Sequence, residues 1–437
     1  MLRALTHVLS SLMLVCSFTT GAACSAQSNP PASVGSGAVY YVNSNTGNDG
    51  YAGTSTKMPF KTISRAARLV NPGDVVYVMS GTYPEQVYLT RSGSAVGGYI
   101  TFQAYPGAKP LMTNYNEFAA FNFSANESYI IIDGFTIVGD AKSLTLAQAQ
   151  ALVNNTTSTV NNGSCITAKG NHIVIRNNEL SYCPGAGLGL SGDYMWAYNN
   201  IVHHNSYWSP VDASGISVRG TDSDSSTQTK IWIYNNIVFE NQNFICNVLQ
   251  TSPCKITDGE GIIADSNVDT GFRGRTLIYN NVSYCNGGPG IEAYRSAHVD
   301  IVNNTTYVNN RSGVEPGALQ GHVTTAEVEV GYASDVRVLN NILYSRTSAP
   351  ILSIFGTTAL EWDYNIHYNS VGQLGGSGMG SHNLIANPLF RNALLADFRL
   401  EPGSPAINAG TLSFQPTLDF AGLSTLKTIN TGALLAP

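Results

Sequence analysis

The sequence predicts an all-β fold, a parallel β-helix in one domain, and three observations lead there. The first is composition. Only 11% of the 437 residues are charged, against roughly 25% in ordinary soluble domains. Apolar content is an unexceptional 43%, so the missing charge is replaced by Gly, Asn, Ser and Thr, which favour turns. The second is a repeat. Alternating segments that end in Asn-Asn recur as "IVIRNNEL", "MWAYNNIV", "IWIYNNIV", "TLIYNNVS", "VDIVNNTT" and "VRVLNNIL", with the first Asn at 177, 199, 235, 280, 303 and 340. The third is the period. The spacings of 22, 36, 45, 23 and 37 reduce to a unit of about 22 residues plus insertions. One coil of a β-helix has that length, whereas a propeller blade needs 40 or more. Asn suits the coil corners because it tolerates left-handed backbone, and its amide can bond the Asn of the next coil.

From the N-terminus, "MLRALTHVLSSLMLVCSFTTGAACSAQ" has one Arg, an apolar run and then small residues, which marks residues 1–26 as a secretory signal rather than a membrane span. "GAAC" before Ser25 also resembles a lipobox, so lipid anchoring at Cys24 stands beside a soluble secreted or periplasmic form. Residues 27–38 read as a flexible linker and 39–437 as the β-helix domain. No later segment is apolar enough to span a membrane. The net charge of −6, with no basic run, argues against nucleic acid as a partner, and a monomer is expected. Cys246 and Cys254, eight residues apart around Pro253, suggest a loop disulfide, while Cys165, Cys183 and Cys285 read as small buried apolar residues. In 60–74, Ile63, Ala66, Ala67 and Leu69 lie at helical spacing before Pro72-Gly73. A helix there would cap the open ladder of the first coil.

The segment "YYVNSNTGNDGYAGTSTKMPFKTISRAARLVNPGDVVYVMSGTY" (40–83) resembles the N-terminal signature of secreted right-handed parallel β-helix proteins of the pectate lyase-like superfamily, in particular those similar to polysaccharide lyase family 9. "NPLFRNALLADFRLEPGSPAINAG" (387–410) is similar to the matching C-terminal signature. The resemblance implies the fold and a carbohydrate-active enzyme. It is less specific for the reaction, because the superfamily includes lyases, hydrolases, epimerases and adhesins.

Counting back from each Asn pair aligns the strands before it: "CITAK" (165–169), "GLGLS" (187–191), "GISVR" (215–219), "GIIAD" (261–265), "GIEAY" (290–294) and "EVEVG" (327–331). Alternate residues face opposite ways. The second and fourth of each set are apolar or small and point inward. The outward positions gather Lys169 and Arg219 at one end and Asp265, Glu292 and Glu329 on successive coils. Asp258 and Glu260 approach from the turn before Ile262. Asp258, Glu260, Asp265 and Glu292 converge as four acids on one patch and repel one another, and a bound Ca²⁺ or a catalytic proton would relieve the repulsion.

Three functions fit this pattern. In a polysaccharide lyase, Asp258, Glu260, Asp265 and Glu292 would hold Ca²⁺ on a uronate while Arg219 or Lys169 removes a proton. The family resemblance implies a Lys base in a "GxK" strand, but "GIIAD" lacks that Lys. In an inverting glycoside hydrolase, Asp265, Glu292 and Glu329 supply paired carboxyls; the "GHG" and "RIK" motifs of polygalacturonases are missing. The third is a non-catalytic glycan-binding β-helix. In each, the insertions 207–215, 221–230 and 244–259 would wall a groove in which Tyr207, Trp208 and Tyr294 stack on sugar rings. His203, His204, Arg273 and Arg275 read as structural.

Overall fold

In the computed structural model, residues 37–433 are described apart from 114, 116–117, 124–126, 212, 249–255, 312–325, 347–348, 369–378, 412–418 and 421–429. The signal, most of the linker, Cys24 and Cys254 therefore lie outside the described residues. The chain winds as a right-handed parallel β-helix. Its register is the one that the Asn pairs set. Ile166, Leu188, Ile216, Ile262, Ile291, Val328 and Leu352 pair in sequence on neighbouring strands. The first six are fully buried and form part of one core that runs the length of the coil. An eleven-stranded sheet, which includes Glu179–Ser181 and Ile201–His203, forms another face.

The two residues of each Asn pair do different work. The first takes the left-handed corner, with φ of 57°, 56°, 54°, 54°, 59° and 58° at Asn177, Asn199, Asn235, Asn280, Asn303 and Asn340. The second turns inward and joins an amide column. The side-chain amide of Asn178 donates to Asn200 at 3.1 Å, and the pattern continues through Asn236, Asn281, Asn304, Asn341, Asn365 and Asn383 at 3.0–3.1 Å. A second column, unforeseen in the sequence, runs from Asn205 through Asn241 and Asn286 to Asn309 and ends on the Glu327 carboxylate. An amide can fill such a column because it carries both donor and acceptor.

The cap is a short helix, Ile63–Ala67, with Ile63, Ala66 and Ala67 buried. The Thr62 hydroxyl accepts from the Arg65 amide at 3.1 Å and satisfies one of the free N–H groups of the first turn.

The cysteines depart from expectation. Cys165 and Cys183 are not free apolar residues; they form a disulfide with Cα atoms 5.5 Å apart. Their separation of 18 residues, a little under one coil, brings the second beside the first. Cys246 is disulfide-bonded too, and its expected partner Cys254 lies outside the described residues. Cys285 is a free thiol, half-buried rather than fully buried.

Candidate functional site

The outward column of the Asn-pair register reads Thr167, Gly189, Ser217, Ile263, Glu292, Glu329 and Ser353. Glu292 and Glu329 are direct neighbours on adjacent coils, about 4.8 Å apart at the backbone. Asp265 pairs with Tyr294, one pleat further along, and so stands diagonal to Glu292. Glu260 enters from the turn before Ile262, where its backbone carbonyl accepts from Gly215 and its carboxylate takes a short hydrogen bond from the Ser214 hydroxyl.

Although these acids point outward, three are nearly sealed from solvent: Glu260 is 1%, Glu329 1% and Glu292 5% exposed. Asp265 is half-buried, and its Oδ1 accepts from the Ser266 hydroxyl at 2.8 Å. Burial, and then the neighbouring carboxyls of Glu260, Glu329 and Asp265, push the Glu292 carboxyl far above the ordinary carboxylate range. Glu292 and Glu329 also hydrogen-bond each other, a contact that needs a proton on one of them. A carboxyl that holds its proton above the ordinary carboxylate range can donate that proton to a bound substrate.

Asp258 is buried as well, with Oδ2 accepting from Asn247 Nδ2 at 3.2 Å and from the Thr257 hydroxyl at 2.8 Å. Among the described residues no three His, Cys, Asp or Glu side chains are placed to hold a metal together. Asp258, Glu260 and Asp265 instead each accept hydrogen bonds from separate neighbours.

The basic candidates lie at the margin. The register carries Arg219 to the step before Asp265, where it is exposed and helps to hold down the Asp269 carboxyl. The first cause of that lowered Asp269 value is Arg295, whose guanidinium grips both carboxylate oxygens at 2.7 and 3.2 Å. Lys169 pairs with Ser191, two coils before the Asp265 step begins; three coil spacings put it about 14 Å from Asp265.

The aromatic candidates separate. Tyr294 stands beside Asp265. Trp208 is buried in a satellite cluster with Ala141, Ala149 and Ile245, and its indole donates to the Ala141 carbonyl at 2.7 Å. Tyr207 packs edge-to-face on Phe244 at 5.0 Å in the same cluster. Both hold the 207–215 insertion down. The 221–230 insertion is pinned by Lys230, fully buried between Asp193 at 3.2 Å and Asp222 at 2.8 Å. His203 and His204 face each other through Nδ1 atoms at 2.8 Å on the eleven-stranded face. Arg273 and Arg275 are ion-paired to Asp222 and Asp300.

Sequence reasoning passed over Ser214, Arg295, Tyr332 and Phe355. Their signal lay in the register: Tyr294, Gly331 and Phe355 stack in one column, and Arg295 and Tyr332 occupy the corner beside it.

A family described as "Protein of unknown function (DUF1565)" matches residues 45–254. A pectate lyase, Pel9A, superposes with a TM-score of 0.52 at 17% identity, over 92% of this chain and 97% of that one. This chain shares the parallel β-helix fold of that lyase. A lacto-N-biosidase of glycoside hydrolase family 136 from Eubacterium ramulus gives a TM-score of 0.44 at 16% identity, covering 76% of this chain and 56% of that one. No curated protein sequence matches the chain. At such identities the likeness is one of fold. Among the described residues no helix is long and apolar enough to cross a membrane.

Proposed function

We propose that this β-helix is a carbohydrate-active enzyme that cleaves an acidic polysaccharide by glycoside hydrolysis, with Glu292 as the proton donor. The single observation that carries this reading is the raised Glu292 carboxyl, buried beside Glu260, Glu329 and Asp265. Cleavage of a glycosidic bond needs one carboxyl that arrives protonated at the leaving oxygen and a second that acts as base or nucleophile. Glu292 meets the first requirement. Asp265, the most exposed of the four, is assigned the second. Glu260 and Glu329 keep the Glu292 proton in place by repelling its charged form. Arg219 and Arg295, at the rim, offer a landing for substrate carboxylates.

β-Elimination was the leading expectation from sequence. It requires a base beside a neutralised uronate, and the basic candidates fit it poorly: Lys169 is three coils away and Arg219 faces the rim.

The test is incubation with a panel of acidic and neutral polysaccharides, followed both by reducing-end release and by ultraviolet absorbance of unsaturated products. Reducing ends without absorbance are expected, with loss in Glu292→Gln. Unsaturated products would overturn the proton-donor role in favour of a lyase, and neither product would leave a glycan-binding protein. Because the Glu292 proton is the reagent, turnover should be present at acidic pH and fall as pH rises through its raised value.

A further inference from the structure

Beyond the buried acids, the same strands build an aromatic corner. Tyr294, Gly331 and Phe355 pair in register on three successive coils, one pleat beyond the Glu292 column. The glycine is required there. A Cβ at Gly331 would lie 2.5 Å from Phe355 Cζ and 3.1 Å from Tyr294 Cδ2, so the two rings lean towards each other across it. The next residue along, Tyr332, occupies the left-handed corner with φ 48°. Its ring meets Tyr294 at 6.0 Å and 78°, and Phe355 at 5.2 Å and 84°.

Aromatic corners elsewhere in the coil behave differently. Tyr129, His172 and Tyr194 also take left-handed backbone, but they stack nearly parallel at 4.3 and 4.7 Å, so each ring covers the next. Among the described residues no ring lies parallel to Tyr332, which is 60% exposed. An uncovered aromatic face of this kind offers a flat apolar surface to a ligand. Its position identifies the ligand. Tyr294 follows Glu292 by two residues in one strand, and Arg295 and Tyr332 are corner neighbours on adjacent coils.

We propose that Tyr332, supported by Tyr294 and Phe355, is a stacking subsite for one pyranose ring of the polysaccharide, next to the bond cleaved at Glu292. A pyranose presents a flat face of C–H groups, which packs on an aromatic face while its hydroxyls remain hydrated. The proposal rests on the hydrolase reading for the position of the bond, but not for binding itself.

The experiment is affinity electrophoresis of the whole protein through gels that carry polygalacturonate, alginate or xylan, beside product release on the same three. At least one gel should retard the wild type. Tyr332→Ala should weaken that retardation about tenfold, while Tyr332→Phe, which keeps the ring, should retain it. Both variants should melt with the wild type, because the ring is largely outside the core. Retardation of Tyr332→Ala equal to the wild type, or no retardation of the wild type in any gel, overturns the subsite. Product release without a Tyr332 effect on retardation leaves the hydrolase standing and removes the subsite; retardation that depends on Tyr332 without product release does the reverse.

Discussion

Two kinds of polar column climb this coil, and they meet opposite demands. The amide column from Asn178 to Asn383 is buried and self-satisfying, because each side chain gives one hydrogen bond up the stack and accepts another. The carboxyl group around Glu292 has the same stacking geometry without donors of its own. Ionised carboxylates only accept, so burying several together forces protons onto them. Stacking identical amides therefore stabilises a fold, and stacking identical acids stores chemistry. The second amide column joins the two cases, since it ends on Glu327, whose carboxyl burial pushes up to about 7.

The sharpest way to break the comparison is to neutralise the acid. Glu292→Gln removes the titrating proton, so hydrolysis should fall about 10²–10⁴-fold while the melting temperature holds or rises. A loss of stability in step with activity would place Glu292 with the amides as a structural residue.

The reciprocal change is Asn281→Ala in the middle of the amide column. It strips the acceptor from the Asn236 backbone and side-chain amides, both buried. At about 1–3 kcal/mol for each orphaned donor, a cost of about 2–6 kcal/mol in denaturant unfolding is expected. A cost near zero would mean that the column is ornamental.

Glu327→Gln tests the junction. The unfolded chain releases this proton near 4.5 and the folded chain near about 7, so the native state binds it more tightly. Stability from this group is full below 4.5 and is lost as pH rises through about 7. The gap corresponds to on the order of 3 kcal/mol. Melting curves across that window should fall with pH in the wild type and flatten in the variant, which keeps an acceptor for Asn309. Parallel curves would refute the assignment.

The smallest effect expected is that of calcium. Asp258, Glu260 and Asp265 each accept hydrogen bonds from neighbouring donors, so added calcium and added chelator should leave the melting temperature unchanged. A rise with calcium, by ligand linkage, that Asp265→Asn abolishes would show the acids to be metal ligands.

Much of the coil was legible in the sequence because register and side-chain alternation are periodic. The Asn pairs placed Ile262 and Ile291 inside and Glu292 outside without any structure. The division of labour within each pair was not legible, since corner and column use the same residue type. The pairing of Cys165 with Cys183 was also hidden. Their separation of 18 residues brings them together only once the coil closes. The roles of Trp208 and Tyr207 could not be read either, because whether an insertion exposes its rings or packs them depends on Ala141, Ala149 and Phe244, distant in sequence.

The sequence by itself determined the architecture and which strand positions face outward, because a repeat of about 22 residues with period-two alternation admits one stacking register. Only the tertiary structure decided that the outward acids are sealed. Outward on a strand means exposed unless other parts of the chain cover it, and desolvation, which sets whether Glu292 is an ordinary surface carboxylate or a proton donor, depends on that cover alone.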